Sequence, residues 1–288
     1  MIIAIFDGFR MGVVEGEEIV DVTDGLPHYD PGFSANFWVR MCQGFETIRS
    51  TFEILAREGQ RKSLSQVHLE APILNPSKII AAAANYAAHV TEMRKRSGTQ
   101  SWLNQFGVFL KAPSSIIGPG EPLILPNVPG REIHHESELA LVIGKGGKHI
   151  SEADAMDHVL GYTIAIDVTV RGEGDRSRRK SYDGFTPVGP WLVTADEISN
   201  PHDLDIKLWV DGDLKQEVNS SGMLVKIPAM IAYASDVMTL YPGDLISTGA
   251  PPGVGEIHPG ETMVVEISKI GRLEIPIAGK KPKASPPV

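Results

Sequence analysis

Cysteine is almost absent from this 288-residue chain; Cys42 is the only one. A lone cysteine excludes an internal disulfide and any cysteine-based zinc site. It reads as a small, partly buried hydrophobe rather than a nucleophile. No apolar run reaches the 18 or so residues of a membrane span, so none is expected. The stretch MIIAIFDGFRMG has neither the basic flank nor the apolar core of a secretory signal. Excess positive charge is missing too: 27 Lys and Arg stand against 36 Asp and Glu, a net charge of -9. Nucleic acid and anionic membranes both need a basic patch, so neither is an expected partner. There is no G-x-S-x-G elbow, no G-x-x-x-x-G-K-[ST] loop and no H-E-x-x-H helix, and GKGGKH (144–149) is not a dinucleotide fingerprint. What remains is an ordinary globular composition, 42 % hydrophobic, expected in a reducing cytoplasm.

Short β-rich runs separated by turns fill residues 2–23, with Asp7-Gly8 as a hairpin signal. Ile48, Phe52 and Leu55 have helical spacing over 45–58. Pro72 and Pro76 follow, and a small N-terminal α/β domain is expected to end near residue 70. A second, larger domain is expected over 71–279 and a disordered, proline-rich tail over 280–288. Strands are predicted at 79–84, 107–111, 138–144, 160–170, 190–194, 204–211, 244–247 and 262–268, with helices near 86–96, 151–157 and 227–239. Strand and helix do not alternate, which excludes a doubly wound sheet or a (β/α)₈ barrel and leaves a mostly β, α+β fold.

HHESELALVIGK (134–145) poses the functional question. Glu136 and Glu138 are two apart, on one face of a predicted strand, where like charges repel and desolvate badly. A shared hard divalent cation would cancel that repulsion. Asp167, isolated in the apolar GYTIAIDVTV (161–170), would complete a three-carboxylate set. The alternative is an exposed strand start, with Asp167 paired to an arginine. His89 and Glu92 in NYAAHVTE are i and i+3, so a helix lets Glu92 orient the imidazole as a general base; a surface ion pair is the competing reading. Lys111 and Lys180 precede loops of small residues, where a lysine can meet an anion or sit idle on the surface. The PGDLISTGAPPGVG loop (242–255) exposes N–H groups that can take a carboxylate, or is an ordinary turn.

Together and in this order, NYAAHVTE, FLKAPSSIIGPGEP, HHESELALVIGK, GYTIAIDVTVR, KSYDGFTPVGPWLVTADEI, IPAMIAYASDVMTLYPGDLISTGAPPGVG and VVEISKIGRLEIPI resemble the fumarylacetoacetate hydrolase family over about residues 72–278. The resemblance implies a mixed β-sheet roll, usually a homodimer, with a small N-terminal domain. It implies Mg²⁺, with Mn²⁺ or Ca²⁺ as substitutes, held by Glu136, Glu138 and Asp167. His89 and Glu92 match a water-activating pair on a mobile lid, expected over 86–105. Lys180 matches a catalytic lysine, while Tyr86, Lys111, Arg171, Thr248 and Gly249 match substrate-binding positions. Two departures stand out: Gly172 and Gly174 replace the family's Asp and Gln, and Ala250 replaces the second Thr of S-T-G-T-P.

The implied activity is metal-dependent C–C hydrolysis of a 2,4-dioxo acid, of the acylpyruvate or fumarylpyruvate type met in aromatic catabolism. The rival readings are an oxaloacetate-type decarboxylase or keto–enol tautomerase on the same site, and a catalytically silent small-acid binding protein.

Overall fold

The computed structural model describes residues 1–97 and 107–279; the side chains of 33–36 and 93–97 lie outside that description. The expected tail (280–288) and the part of the expected lid beyond residue 97 also lie outside it.

A 12-stranded mixed sheet forms the middle layer. Its main path runs Arg61–Ser63, Glu18–Asp21, Arg10–Glu15, Ile2–Phe6, Thr186–Thr194, Val159–Ile166, Ser137–Ile143, Leu245–Ser247, Ile79–Ala82 and Val108–Lys111. A five-stranded sheet follows the order Asp213–Asn219, Asp205–Val210, Thr262–Ile267, Gly271–Gly279 and Leu123–Leu125. A small ribbon pairs Ile133–His134 with Thr169–Val170.

The centre of the main sheet is buried on both faces, and its period of two sorts the side chains. Leu139, Leu141 and Ile143 join Leu208, Val265, Leu273 and Ile275 of the second sheet, and Met230, Ile231 and Ala234 of the helix Ile227–Val237. Ala140 and Val142 face the other way, onto Phe37, Trp38, Met41, Cys42, Phe45 and Phe52 of the helix Ser34–Glu58. That helix begins well before the expected residue 45. Its apolar residues at 37, 38, 41, 42, 45 and 52 keep one stripe buried, which outweighs the propensity cost of about 1 kcal/mol for Gly44 inside it.

Two further expectations change. Residues 151–157 do not make an α-helix; only a 3₁₀ turn, Ala155–His158, forms there. Ser151 Oγ donates to Asp154 Oδ2 at 2.7 Å and accepts from the Asp154 N–H, giving the backbone a local alternative to helix. The strands Asp213–Asn219 and Gly271–Gly279 were not expected, the first because its residues are mostly exposed and polar.

The main sheet continues across the expected division near residue 70. Ile2 and Ile3 pair with Val193 and Leu192, and Trp38 packs against Gly243, where an added Cβ would lie 2.9 Å from the indole nitrogen. Cys42 is enclosed in the same core and burial pushes its thiol pKa well up. Cys42 should therefore resist iodoacetamide in the native protein and label in denaturant together with loss of the whole sheet signal. Labelling at a denaturant concentration that leaves the central sheet intact would show that residues 1–70 open on their own.

Candidate active site

Pairing directions bring four strand ends to one edge of the main sheet. Ser137–Ile143 is antiparallel to both Val159–Ile166 and Leu245–Ser247, and Ile79–Ala82 is parallel to the last. Glu138 near the start of one strand thus meets Asp167 and Ser247 at the ends of two others. Ala82 leads at this same edge into the helix Ala87–Ser97, which carries His89 and Glu92.

Glu136 lies just before its strand, not in it, and its carbonyl accepts from the Asp167 N–H at 2.8 Å. Glu136, Glu138 and Asp167 are all buried, and each offers an oxygen within 4.8 Å of the others. The antiparallel pairing of Ser137–Ile143 with Val159–Ile166 brings Asp167 beside the two glutamates. Asp167 accepts from Lys111 Nζ at 2.6 Å and Lys180 Nζ at 2.5 Å. Glu136 accepts from Lys180 Nζ at 2.7 Å and Arg171 Nη2 at 2.6 Å. Among the described residues Glu138 accepts from neutral donors alone: the Ser247 hydroxyl, and the Gly249 N–H at 2.8 Å.

The electrostatics follow from those partners. Burial opposes the charge on Glu136, but Lys180 and Arg171 hold its pKa far below the carboxylate range. Burial first, and the Asp167 charge second, push Glu138 up to about 8. The donor set is all oxygen, anionic and convergent, which fits a hard divalent cation. Three polar side-chain atoms nearby, Tyr86 Oη, Ser137 Oγ and Arg171 Nε, are buried without a hydrogen-bond partner among the described residues.

A cavity of about 1070 Å³ opens beside the cluster, lined among others by His89, Phe109, Glu136, Arg171, Arg176, Arg179 and Lys180. His89 is buried; its Nδ1 lies 3.3 Å from Glu92 Oε2, which also accepts from the Gly253 N–H at 3.2 Å. The pair is therefore not a free surface ion pair. Lys180 ends the short helix Arg176–Lys180, whose Asp175 cap accepts from the Arg178 N–H. Arg176 and Lys180 are four apart on that helix and both lie 5.2 Å from the centre of the Phe109 ring.

Other expected substrate-binding residues sit behind the wall. Lys111 does not line the cavity; it is buried and donates to Asp167 and the Phe185 carbonyl. Thr248 donates its hydroxyl to the Leu139 carbonyl. Gly249, at φ +98°, brings its N–H to Glu138, and a Cβ there would lie 2.7 Å from that of Asn85. Tyr86 is buried against Gly222.

Ser247 and Thr169, which carry no local signal of a role, hold Glu138 and Lys180. The same is true of Asn85, whose side chain ties the Val225 backbone to the Thr248 carbonyl, and of Gln216, a polar residue in a mostly exposed strand. Ser247, Thr169 and Asn85 stood inside the motifs above, without any sign of which partner they served.

Residues 78–278 match the family model described as fumarylacetoacetate (FAA) hydrolase C-terminal. The chain belongs to the fumarylacetoacetate hydrolase family. It is 39 % identical to maleylpyruvate hydrolase of Aquipseudomonas alcaligenes, over 96 % of this chain and 99 % of that one. The crystal structure of maleylpyruvate hydrolase from Sphingobium sp. SYK-6 with manganese (II) and pyruvate superposes with a TM-score of 0.88 at 43 % identity, covering 98 % of this chain and all of that one. The mitochondrial oxaloacetate tautomerase fahd2 of Xenopus laevis is 38 % identical over 91 % of this chain and 83 % of its own. The mixed, mostly β fold is the one this family resemblance implied, and the acidic cluster fits a divalent ion.

Two outcomes test the site. Glu138→Gln removes one ligand charge and should weaken Mn²⁺ binding by at least about tenfold in calorimetry. Lys111→Met leaves Asp167 short of a buried partner and should cost about 3–5 kcal/mol of stability, read by denaturant unfolding. An unchanged unfolding midpoint with a raised KM would instead return Lys111 to substrate binding.

Proposed function

We propose that this family member is a divalent-metal-dependent hydrolase that cleaves the C3–C4 bond of a 2,4-dioxo acid. The observation that carries the reading is buried His89, paired with Glu92, on the wall of the same cavity that reaches Glu136 and Lys180. The likeness to two proteins named maleylpyruvate hydrolase supports it. An ion held by Glu136, Glu138 and Asp167 would polarise the 2-oxo acid and offset enolate charge. We read that ion as Mg²⁺, with Mn²⁺ able to replace it, and the protein as a homodimer serving aromatic catabolism, as the resemblance implies, in the reducing cytoplasm that its single cysteine suits. No helix among the described residues is long and apolar enough to cross a membrane.

The residues then divide the work. His89, held by Glu92, takes a proton from water as its oxygen attacks the C4 carbonyl. Lys180, on the cavity wall, brings its positive charge to the developing oxyanion. The C3–C4 bond breaks, leaving a carboxylic acid and the enolate of pyruvate. Protonated His89 returns the proton to C3. Arg171 and Arg176 line the cavity where the substrate's carboxylate charge must be met.

The tautomerase relative favours a second reading, proton transfer on oxaloacetate without bond cleavage. Decarboxylation of a β-keto acid would use the same ion and need no activated water. His89→Ala should lower acetylpyruvate cleavage by about 10²–10⁴-fold, the usual weight of a general base, while Mn²⁺ and oxalate binding stay near wild type. Wild-type protein that leaves acetylpyruvate and fumarylpyruvate intact but interconverts the forms of oxaloacetate would replace the hydrolase reading with the tautomerase one. Release of CO₂ from oxaloacetate would point to decarboxylation, and mere binding of these acids to a silent protein.

A further inference from the structure

Gln216 is the buried residue in an otherwise exposed stretch of the edge strand Asp213–Asn219. A buried primary amide needs partners at both ends. Its Oε1 accepts from the Ser137 N–H at 3.0 Å and lies 3.2 Å from His135 Nδ1. Its Nε2 donates to the Pro251 carbonyl at 2.9 Å and the Pro252 carbonyl at 3.4 Å. The orientation follows from the partners, because an N–H can only donate and a carbonyl only accept.

Those partners belong to different halves of the site. Ser137 is the residue between Glu136 and Glu138, so the oxygen end holds the backbone of the carboxylate cluster. Pro251 and Pro252 run into Gly253, whose N–H donates to the Glu92 oxygen that faces His89. Gly253 is itself pressed onto the Gln216 strand: its φ is +91°, and a Cβ there would lie 2.1 Å from the Lys215 carbonyl. Gln216 does not line the cavity and touches no reacting group.

We propose that Gln216 is a positioning residue, whose single amide sets the seat of Glu92 relative to the carboxylate cluster by clamping Ser137 at one end and the Pro251–Gly253 turn at the other. The catalytic consequence rests on the reading of His89 as the base, whereas the clamp itself does not.

The test compares wild type, Gln216→Glu and Gln216→Leu. Each is measured by Mn²⁺ calorimetry, by hydrogen exchange over 250–256 and by acetylpyruvate kinetics in Mn²⁺, the kinetics also in a Glu92→Gln background. As a carboxylate, Gln216→Glu keeps the acceptor for Ser137 and loses both donors. It should bind Mn²⁺ within about threefold of wild type, exchange faster over 250–256 and lose kcat by about 10-fold at little change in KM, the weight of one buried hydrogen bond. Gln216→Leu loses both ends and should also weaken Mn²⁺ binding by about tenfold. With Glu92→Gln already present, Gln216→Glu should cost little more in kcat, because both changes act through one seat. Additive kcat losses, unchanged exchange in Gln216→Glu, or wild-type Mn²⁺ affinity in a folded Gln216→Leu would each overturn the proposal. Should Gln216→Leu not fold, the exchange and the double-variant comparison on Gln216→Glu decide it. Should wild type cleave no acylpyruvate, the reaction is misread, and ion affinity with exchange still decides the clamp.

Discussion

The site depends on holding three carboxylates out of water within reach of one another. At their separation, each pair of charges repels by about 3 kcal/mol for an effective dielectric near 20. No local propensity absorbs that, so the surrounding chain has to. Lys180 answers two of the three at once, and Thr169 orients it. Lys111 answers Asp167 from behind, and Arg171 answers Glu136 from the cavity side. Glu138 is left with a hydroxyl and an amide, and its raised pKa records the imbalance. Among these acids it therefore has the most to gain from an added positive charge.

The fold supplies this arrangement through strand direction rather than through a motif on one segment. Glu138, Asp167 and Ser247 come from three neighbouring strands whose ends coincide only because two pairings are antiparallel. His89 arrives from a fourth strand, parallel to its neighbour, that leads through residues 83–86 into a helix. Both faces of the central strands are covered, by the helix Ser34–Glu58 on one side and the second sheet on the other. A carboxylate at that edge is consequently shielded from water although it sits near a chain turn.

This explains which parts were legible in the sequence. Glu136, Glu138 and Asp167 could be singled out because charge in an apolar run is costly, and His89 with Glu92 because helical spacing pairs them. Lys111 looked like a loop lysine; nothing local says that its ammonium turns inward to Asp167. The helix over 34–44 was obscured by Gly44, since one glycine lowers local propensity while tertiary burial of Trp38 and Met41 restores it. The strand Asp213–Asn219 has no apolar signature because it is an edge, and its one buried side chain is an amide. Residues that serve by hydrogen-bonding distant backbone, such as Asn85 and Gln216, leave no trace in periodicity at all.

The glycines at 172 and 174 bear on whether the family chemistry persists here. Read from sequence, replacing an Asp and a Gln by glycine looks like the loss of substrate contacts. In the structure both have positive φ, +107° and +105°, a conformation that side chains disfavour. That backbone turns carbonyls toward arginines: Arg131 donates to the Arg171 and Glu173 carbonyls, and Arg179 to those of Val170 and Gly174. The chain then enters the capped helix that presents Arg176 and Lys180 to the cavity. Arg171, Arg176 and Arg179 all line this wall. Such a wall can meet an anion, and it leaves the carboxylates, Lys180 and the buried His89 in place, which weighs against a silent binding protein.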